Sequence, residues 1–124
     1  MQYLNLTAKG INTFIPSGDQ YEKSIELYQE IGFTMGSHNP HFTYFHINGY
    51  GFILQNYKND WALGNFMMVL DVENLDDWWT NLSSLDLGKK YEGVRLKGPQ
   101  WYPWGKREIH LIDLTGVLWH ICQA

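Results

Sequence analysis

The chain of 124 residues holds one cysteine, Cys122, so no disulfide forms within it and no cysteine-rich zinc site is available. Cations are also few. Nine Lys and Arg are scattered among thirteen Asp and Glu, for a net charge of −4. Phosphate contacts need clustered Lys and Arg, so nucleic acid is not an expected partner. The balance suits a cationic or neutral ligand instead. No apolar run approaches a membrane span, so no membrane partner is expected, and the start lacks the basic-then-apolar pattern of a secretory signal. A cytoplasmic protein is the expectation.

What the chain does have is aromatic surface. Hydrophobic residues at 44% and charged ones at 18% describe a folded globule, and the length suits one domain with a sizeable core. Six Trp, eight Tyr and six Phe exceed what an ordinary core consumes. Most are read as core, and the remainder as lining a surface or pocket.

Along the chain, Met1 to Gly10 reads as a short edge strand or an arm, and Ile11 to Ile15 as a strand stopped by Pro16-Ser17-Gly18. Asp19 with Glu22 resembles a capping box. Tyr21, Ile25, Leu27, Tyr28 and Ile31 then form a helical stripe closed by Gly32. Phe33 to Ser37 reads as a strand, and Phe42 to Asn48 with Gly51 to Tyr57 as a hairpin. A polar connection carrying Trp61 follows. Phe66 to Asp71 starts the same series again. Asn74 is an N-cap, and Leu75, Trp78, Trp79 and Leu82 make a second amphipathic helix. Ser83 to Gly93 reads as loop, Val94 to Leu96 as strand, and Gly98 to Gly105 as a Pro- and Trp-rich loop. The run Arg107 to His120 closes the series as a hairpin across Asp113-Leu114-Thr115-Gly116. Strand-helix-strand-strand-strand therefore occurs twice, about 8–58 and about 65–124. Setting Gly51 on Gly116 places Asn48 on Asp113 and Gln55 on His120.

The doubled unit resembles the vicinal oxygen chelate superfamily of glyoxalases, extradiol dioxygenases and bleomycin-resistance proteins. Ser17 to Phe33 looks like its first helix and the glycine after it. Trp104-Gly105-Lys106-Arg107-Glu108, followed by Asp113-Leu114-Thr115-Gly116-Val117-Leu118-Trp119, is similar to its last hairpin, with Leu114 and Val117 replacing the usual Pro and Asn. The resemblance implies an α+β fold: two βαβββ modules forming a cupped, mixed eight-stranded sheet with helices on the outer face. It also implies a divalent metal held by the first and last strand of each module, through His, Glu or Gln. The matching positions here are Asn12 (or Thr13), Gln55, Met67 and His120. Met67 does not serve a hard ion, and no carboxylate remains to supply charge. No metal and no other cofactor is therefore expected.

Cross-strand partners share a sheet face. A four-residue corner at Asp113 to Gly116 pairs Leu118 with Leu111, His120 with Ile109 and Cys122 with Arg107. In the first module Ile53 groups with His46, Gln55 with Tyr44 and Tyr57 with Phe42. Phe14, Met67, Val69 and Asp71 join them by alternation. Trp119, His110, Phe45 and Leu54 fall on the helix side. The cup is thus apolar and aromatic, with His46, Tyr44, Gln55, His120, Arg107 and Asp71 as its polar groups. His46 and His120 read equally as pocket groups or as hydrogen-bonded core histidines, and Tyr44 with His46 as an acid–base pair of common spacing. Cys122 reads as inert packing. Trp101 and Trp104, held beside Pro103, are candidates for ligand stacking or a dimer contact.

The expected function is metal-free binding of an aromatic or cationic small molecule, by a homodimer of the bleomycin-resistance-like type. The alternative is a metal-dependent lyase, isomerase or dioxygenase using His120, Gln55 and a further ligand such as His46. A structural module with a self-filled cup is the third reading.

Overall fold

The structure, a computed structural model, describes residues 4–58 and 65–123. The expectations for Met1 to Tyr3 and for Trp61 lie outside the described residues. Ile25, Leu27, Tyr28 and Ile31 are buried along helix α1 (Tyr21–Ile31), as their spacing predicts. Its start differs from a capping box: Gln20 holds the N-cap without a side-chain bond. The Asp19 carboxylate instead accepts from Lys58 Nζ at 3.2 Å. At the other end Gly32, at φ 128°, lets the Phe33 N–H reach back to the Tyr28 carbonyl at 3.0 Å. Helix α2 (Leu75–Ser84) begins at Asn74, whose Oδ1 accepts from the Asp77 N–H at 3.0 Å. A short helix α3 (Leu87–Lys90) stands where loop was expected, anchored by buried Leu87. Among the described residues no helix is long and apolar enough to cross a membrane.

The strands are β1 (Phe14–Pro16), β2 (Thr34–His38), β3 (Phe42–Ile47), β4 (Tyr50–Gln55), β5 (Met67–Asp71), β6 (Arg95–Trp101), β7 (Arg107–Ile112) and β8 (Leu118–Gln123). The first is shorter than expected, because residues 4–13 form no strand and lie exposed. The sixth runs into the stretch read as loop. The doubled βαβββ order stands, with α3 added to the second unit. It forms two four-stranded mixed sheets of the same order, β1-β4-β3-β2 and β5-β8-β7-β6, with the outer pairs β1–β4 and β5–β8 parallel.

Both sheets turn their helix sides to one core. Phe45, Phe52 and Leu54 from the first join Ile109, Leu111, Trp119 and Ile121 from the second. The Trp119 ring packs 5.3 Å from Phe52 and 5.5 Å from Phe33. A buried polar link crosses the same junction: the Tyr28 hydroxyl donates to Asp113 Oδ2 at 2.5 Å and accepts from Trp119 Nε1 at 2.9 Å.

Turn chemistry sets the register of each hairpin, and therefore its faces. Asn48 and Gly49, at φ 49° and 86°, make a two-residue turn of the I′ kind. It pairs Phe42 with Gln55, Tyr44 with Ile53 and His46 with Gly51, two residues from the expected partners. An even offset leaves every side chain on its expected face. The closing hairpin differs by one. Its loop is Leu114-Thr115-Gly116, with Gly116 at φ 93°, and Asp113 Oδ1 accepts from the N–H groups of Thr115 and Val117, both at 2.9 Å. Leu118 accordingly pairs with Ile112, His120 with His110, and Cys122 with Glu108, not with Leu111, Ile109 and Arg107. An odd offset exchanges faces. Arg107 moves to the helix side, and His110, expected in the core, moves to the open face.

Candidate functional site

Opposite the core, each sheet presents an open face. On the first sheet this face carries Phe14, Tyr44, His46 and Gln55, with Phe42 and Ile53 between them. Tyr44 stacks on His46 with ring centroids 5.8 Å apart. It lies so close over Gly51 that a Cβ there would stand 2.5 Å from the Tyr44 hydroxyl. The sequence places these residues on one face, and the structure does the same.

On the second sheet three rows cross the strands: Asp71-Cys122-Glu108, Val69-His120-His110 and Met67-Leu118-Ile112. Glu108 is the centre. It is 2% exposed, and its Oε1 accepts from His110 Nε2 and His120 Nδ1, each at 2.8 Å. Trp104 Nε1 donates to Oε2 at 2.7 Å. Burial pushes this carboxyl up, but the hydrogen bonds from Trp104, His120, His110 and Cys122 outweigh it and hold the group down at about 2. The turn after β6 closes over the row, with the Gly105 N–H bonded to the Tyr102 carbonyl at 3.0 Å. Tyr102 stacks on His110 at 4.5 Å and on Trp104 at 4.9 Å, so Trp104, Tyr102 and His110 form one pile of rings.

Cys122 faces Glu108, not Arg107. Burial first, then the bond to Glu108 and its charge, push the thiol up to about 12, which leaves it the inert group expected. Arg107 and Trp101 are on the helix side. Arg107 Nη2 donates to Asp76 Oδ1 at 2.6 Å, and both residues line a cleft of about 350 Å³ with Glu73, Asn74 and Gln123. Trp101 and Trp104, read from one loop as a pair, therefore serve different surfaces.

The metal positions implied by the resemblance do not fit a metal. Asn12 and Thr13 precede β1, Met67 offers only an exposed thioether, and Gln55 and His120 leave one neutral amide and one imidazole with no carboxylate among the four positions. Glu108 and His110 went unread as site residues. The signal was available in β7, where Ile109 and Leu111 alternate with Glu108 and His110 and match the apolar Trp119 and Ile121 across the ladder.

No protein-family model and no curated protein sequence matches the chain. Solved structures do match. A bleomycin-binding protein complexed with bleomycin superposes with a TM-score of 0.79 at 17% identity, over 94% of this chain and 99% of that one. An antibiotic-binding protein from a Streptomyces species gives 0.67 at 20% identity, over 94% and 98%. A lactoylglutathione lyase from Agrobacterium tumefaciens gives 0.70 at 14% identity, over 95% and 96%. The chain thus has the fold of the glyoxalase and bleomycin-resistance structures, the one its repeated pattern resembles.

Proposed function

We propose that this chain is a small-molecule-binding protein of the vicinal oxygen chelate superfamily. It takes an aromatic or cationic ligand on the open sheet faces, without a metal at the superfamily's four strand positions. One observation carries the reading. Large apolar residues stand exposed on the faces opposite the core: Phe14 at 50%, Phe42 at 37%, Met67 at 67% and Val69 at 57%, with Trp104 beside them at 58%. Apolar surface gathered in this way marks a binding site. The pile of Trp104, Tyr102 and His110 offers a ready ring face to an aromatic ligand. Charge on the second face is mixed, since Asp71 pairs with Lys106 at 3.4 Å while Arg95 and Lys97 edge the sheet. Stacking rather than charge therefore carries recognition. That two structures of the same fold bind antibiotics supports a small-molecule ligand. A second copy of the chain covers part of this surface and closes the cup.

The test is a tryptophan-fluorescence titration of chelator-treated protein with metal-free bleomycin and a panel of aromatic cations, with the oligomeric mass from light scattering. Saturable quenching by at least one compound, from a dimer, is expected. A monomer that binds none of them at millimolar concentration overturns the reading.

A further inference from the structure

We propose that Glu108, His110 and His120 form a binding site for a divalent first-row transition ion of the zinc, cobalt or nickel class. Only His120 belongs to the superfamily's four strand positions; Glu108 and His110 come from β7, which holds none of them. The donor atoms Glu108 Oε1, His110 Nε2 and His120 Nδ1 lie within 4.8 Å of one another. Two of the three separations are 2.8 Å. Tetrahedral ligands at about 2.0–2.2 Å from zinc stand about 3.3 Å apart, so the two 2.8 Å separations open by roughly half an ångström when the ion enters. Two imidazoles and one carboxylate suit this class of metal and disfavour calcium and magnesium, which require oxygen. Three protein ligands leave at least one position open for a ligand atom.

The surroundings are built for these groups. Both oxygens of Glu108 are held as acceptors, Oε1 by the two imidazoles and Oε2 by Trp104 Nε1. Each imidazole presents its protonated nitrogen to the carboxylate in the metal-free chain, and metal binding transfers that proton to the opposite ring nitrogen. For His110 the receiving atom is Nδ1, which lies 3.2 Å from the Tyr102 hydroxyl, an oxygen able to accept it. Trp104 Nε1 holds Glu108 Oε2 and fixes which carboxylate oxygen faces the rings. Side-chain exposures of 3% for Glu108, 18% for His110 and 16% for His120 describe a site sheltered yet reachable.

The experiment uses untagged full-length protein stripped with chelator, dialysed against Co2+ or Zn2+ at micromolar concentration, and assayed for bound metal. About one ion per chain is expected, with Glu108→Gln and His120→Gln each weakening uptake at least tenfold and His41→Gln, at an exposed position before β3, leaving it unchanged. Imidazole nitrogen NMR of the unmutated protein gives a second readout independent of how the variants fold. Of the five histidines, only the rings of His110 and His120 shift on adding zinc. Uptake below about one-tenth of an ion per chain overturns the site, as do shifts at His38, His41 or His46 in place of these two. Ligand binding by the chelator-treated protein is measured separately, so either proposal fails on its own.

Discussion

Replacing Tyr28 by Phe removes one oxygen from the junction where the two modules meet. The ring itself keeps its place, with Phe52, Phe45 and Trp119 at 4.9, 5.8 and 5.8 Å. Two buried groups change. Trp119 Nε1, bonded to the hydroxyl at 2.9 Å, loses its acceptor, and Asp113 Oδ2 loses the donor that stands at 2.5 Å. Asp113 keeps its bonds from Thr115 and Val117 through the other oxygen, so its turn survives. A buried group left unpaired costs about 1–3 kcal/mol, and the two together about 3 kcal/mol after partial relaxation. With an unfolding entropy of about 2.1 cal/mol/K per residue, a chain of this length melts about 10 °C lower. Urea unfolding at a common slope measures the free energy, and calorimetry the midpoint. A double-mutant cycle with Trp119→Phe should return a coupling of about 1 kcal/mol or more. If Tyr28→Phe loses less than about 0.5 kcal/mol, the hydroxyl does not join the modules in the way described.

Gly51→Ala forces a Cβ to within 2.5 Å of both the Phe45 carbonyl and the Tyr44 hydroxyl; it should cost about 2 kcal/mol in urea unfolding and unstack Tyr44 from His46. Glu30 accepts from Lys90 Nζ at 2.8 Å and from the Tyr91 hydroxyl, and these bonds hold its carboxyl below the usual 4.5. A lowered folded pKa stabilises above the unfolded value and is lost as pH falls through the folded one. The gap between wild type and Glu30→Gln, about 1 kcal/mol, should therefore hold steady above pH 4.5 and shrink below it. Trp104→Ala should weaken binding of an aromatic ligand about tenfold, through loss of one stacked ring. Arg107→Ala, changed on the helix side, should leave that affinity within about twofold while lowering stability by up to about 1 kcal/mol.

The helices were legible because burial sets their period: Ile25, Tyr28 and Ile31 could face only one way, and Leu75 and Leu82 likewise. The repeat was legible because both modules spend the same elements in the same order. The hairpins separate what survives a misread turn from what does not. At Asn48-Gly49 the assumed connection was wrong by two residues in pairing, and the face holding Tyr44, His46 and Gln55 was still correct. At Asp113 the error was one residue, and it exchanged Arg107 and Ile109 for Glu108 and His110. Gly116 after Thr115 marks the αL position of a three-residue loop, so the local chemistry held the answer. The folding of Trp104 and Tyr102 back over that row is a tertiary contact with no local pattern behind it. So is the pairing of Arg107 with Asp76 from a helix over thirty residues away.

The most direct test of ligand binding at the open aromatic face compares chelator-treated wild type, Trp104→Ala and Arg107→Ala in one fluorescence titration against an aromatic ligand. The face described here predicts saturable binding by wild type, the same affinity for Arg107→Ala, and about tenfold weaker binding for Trp104→Ala. Binding that is lost with Arg107 and kept without Trp104 would place the ligand in the helix-side cleft and contradict the account.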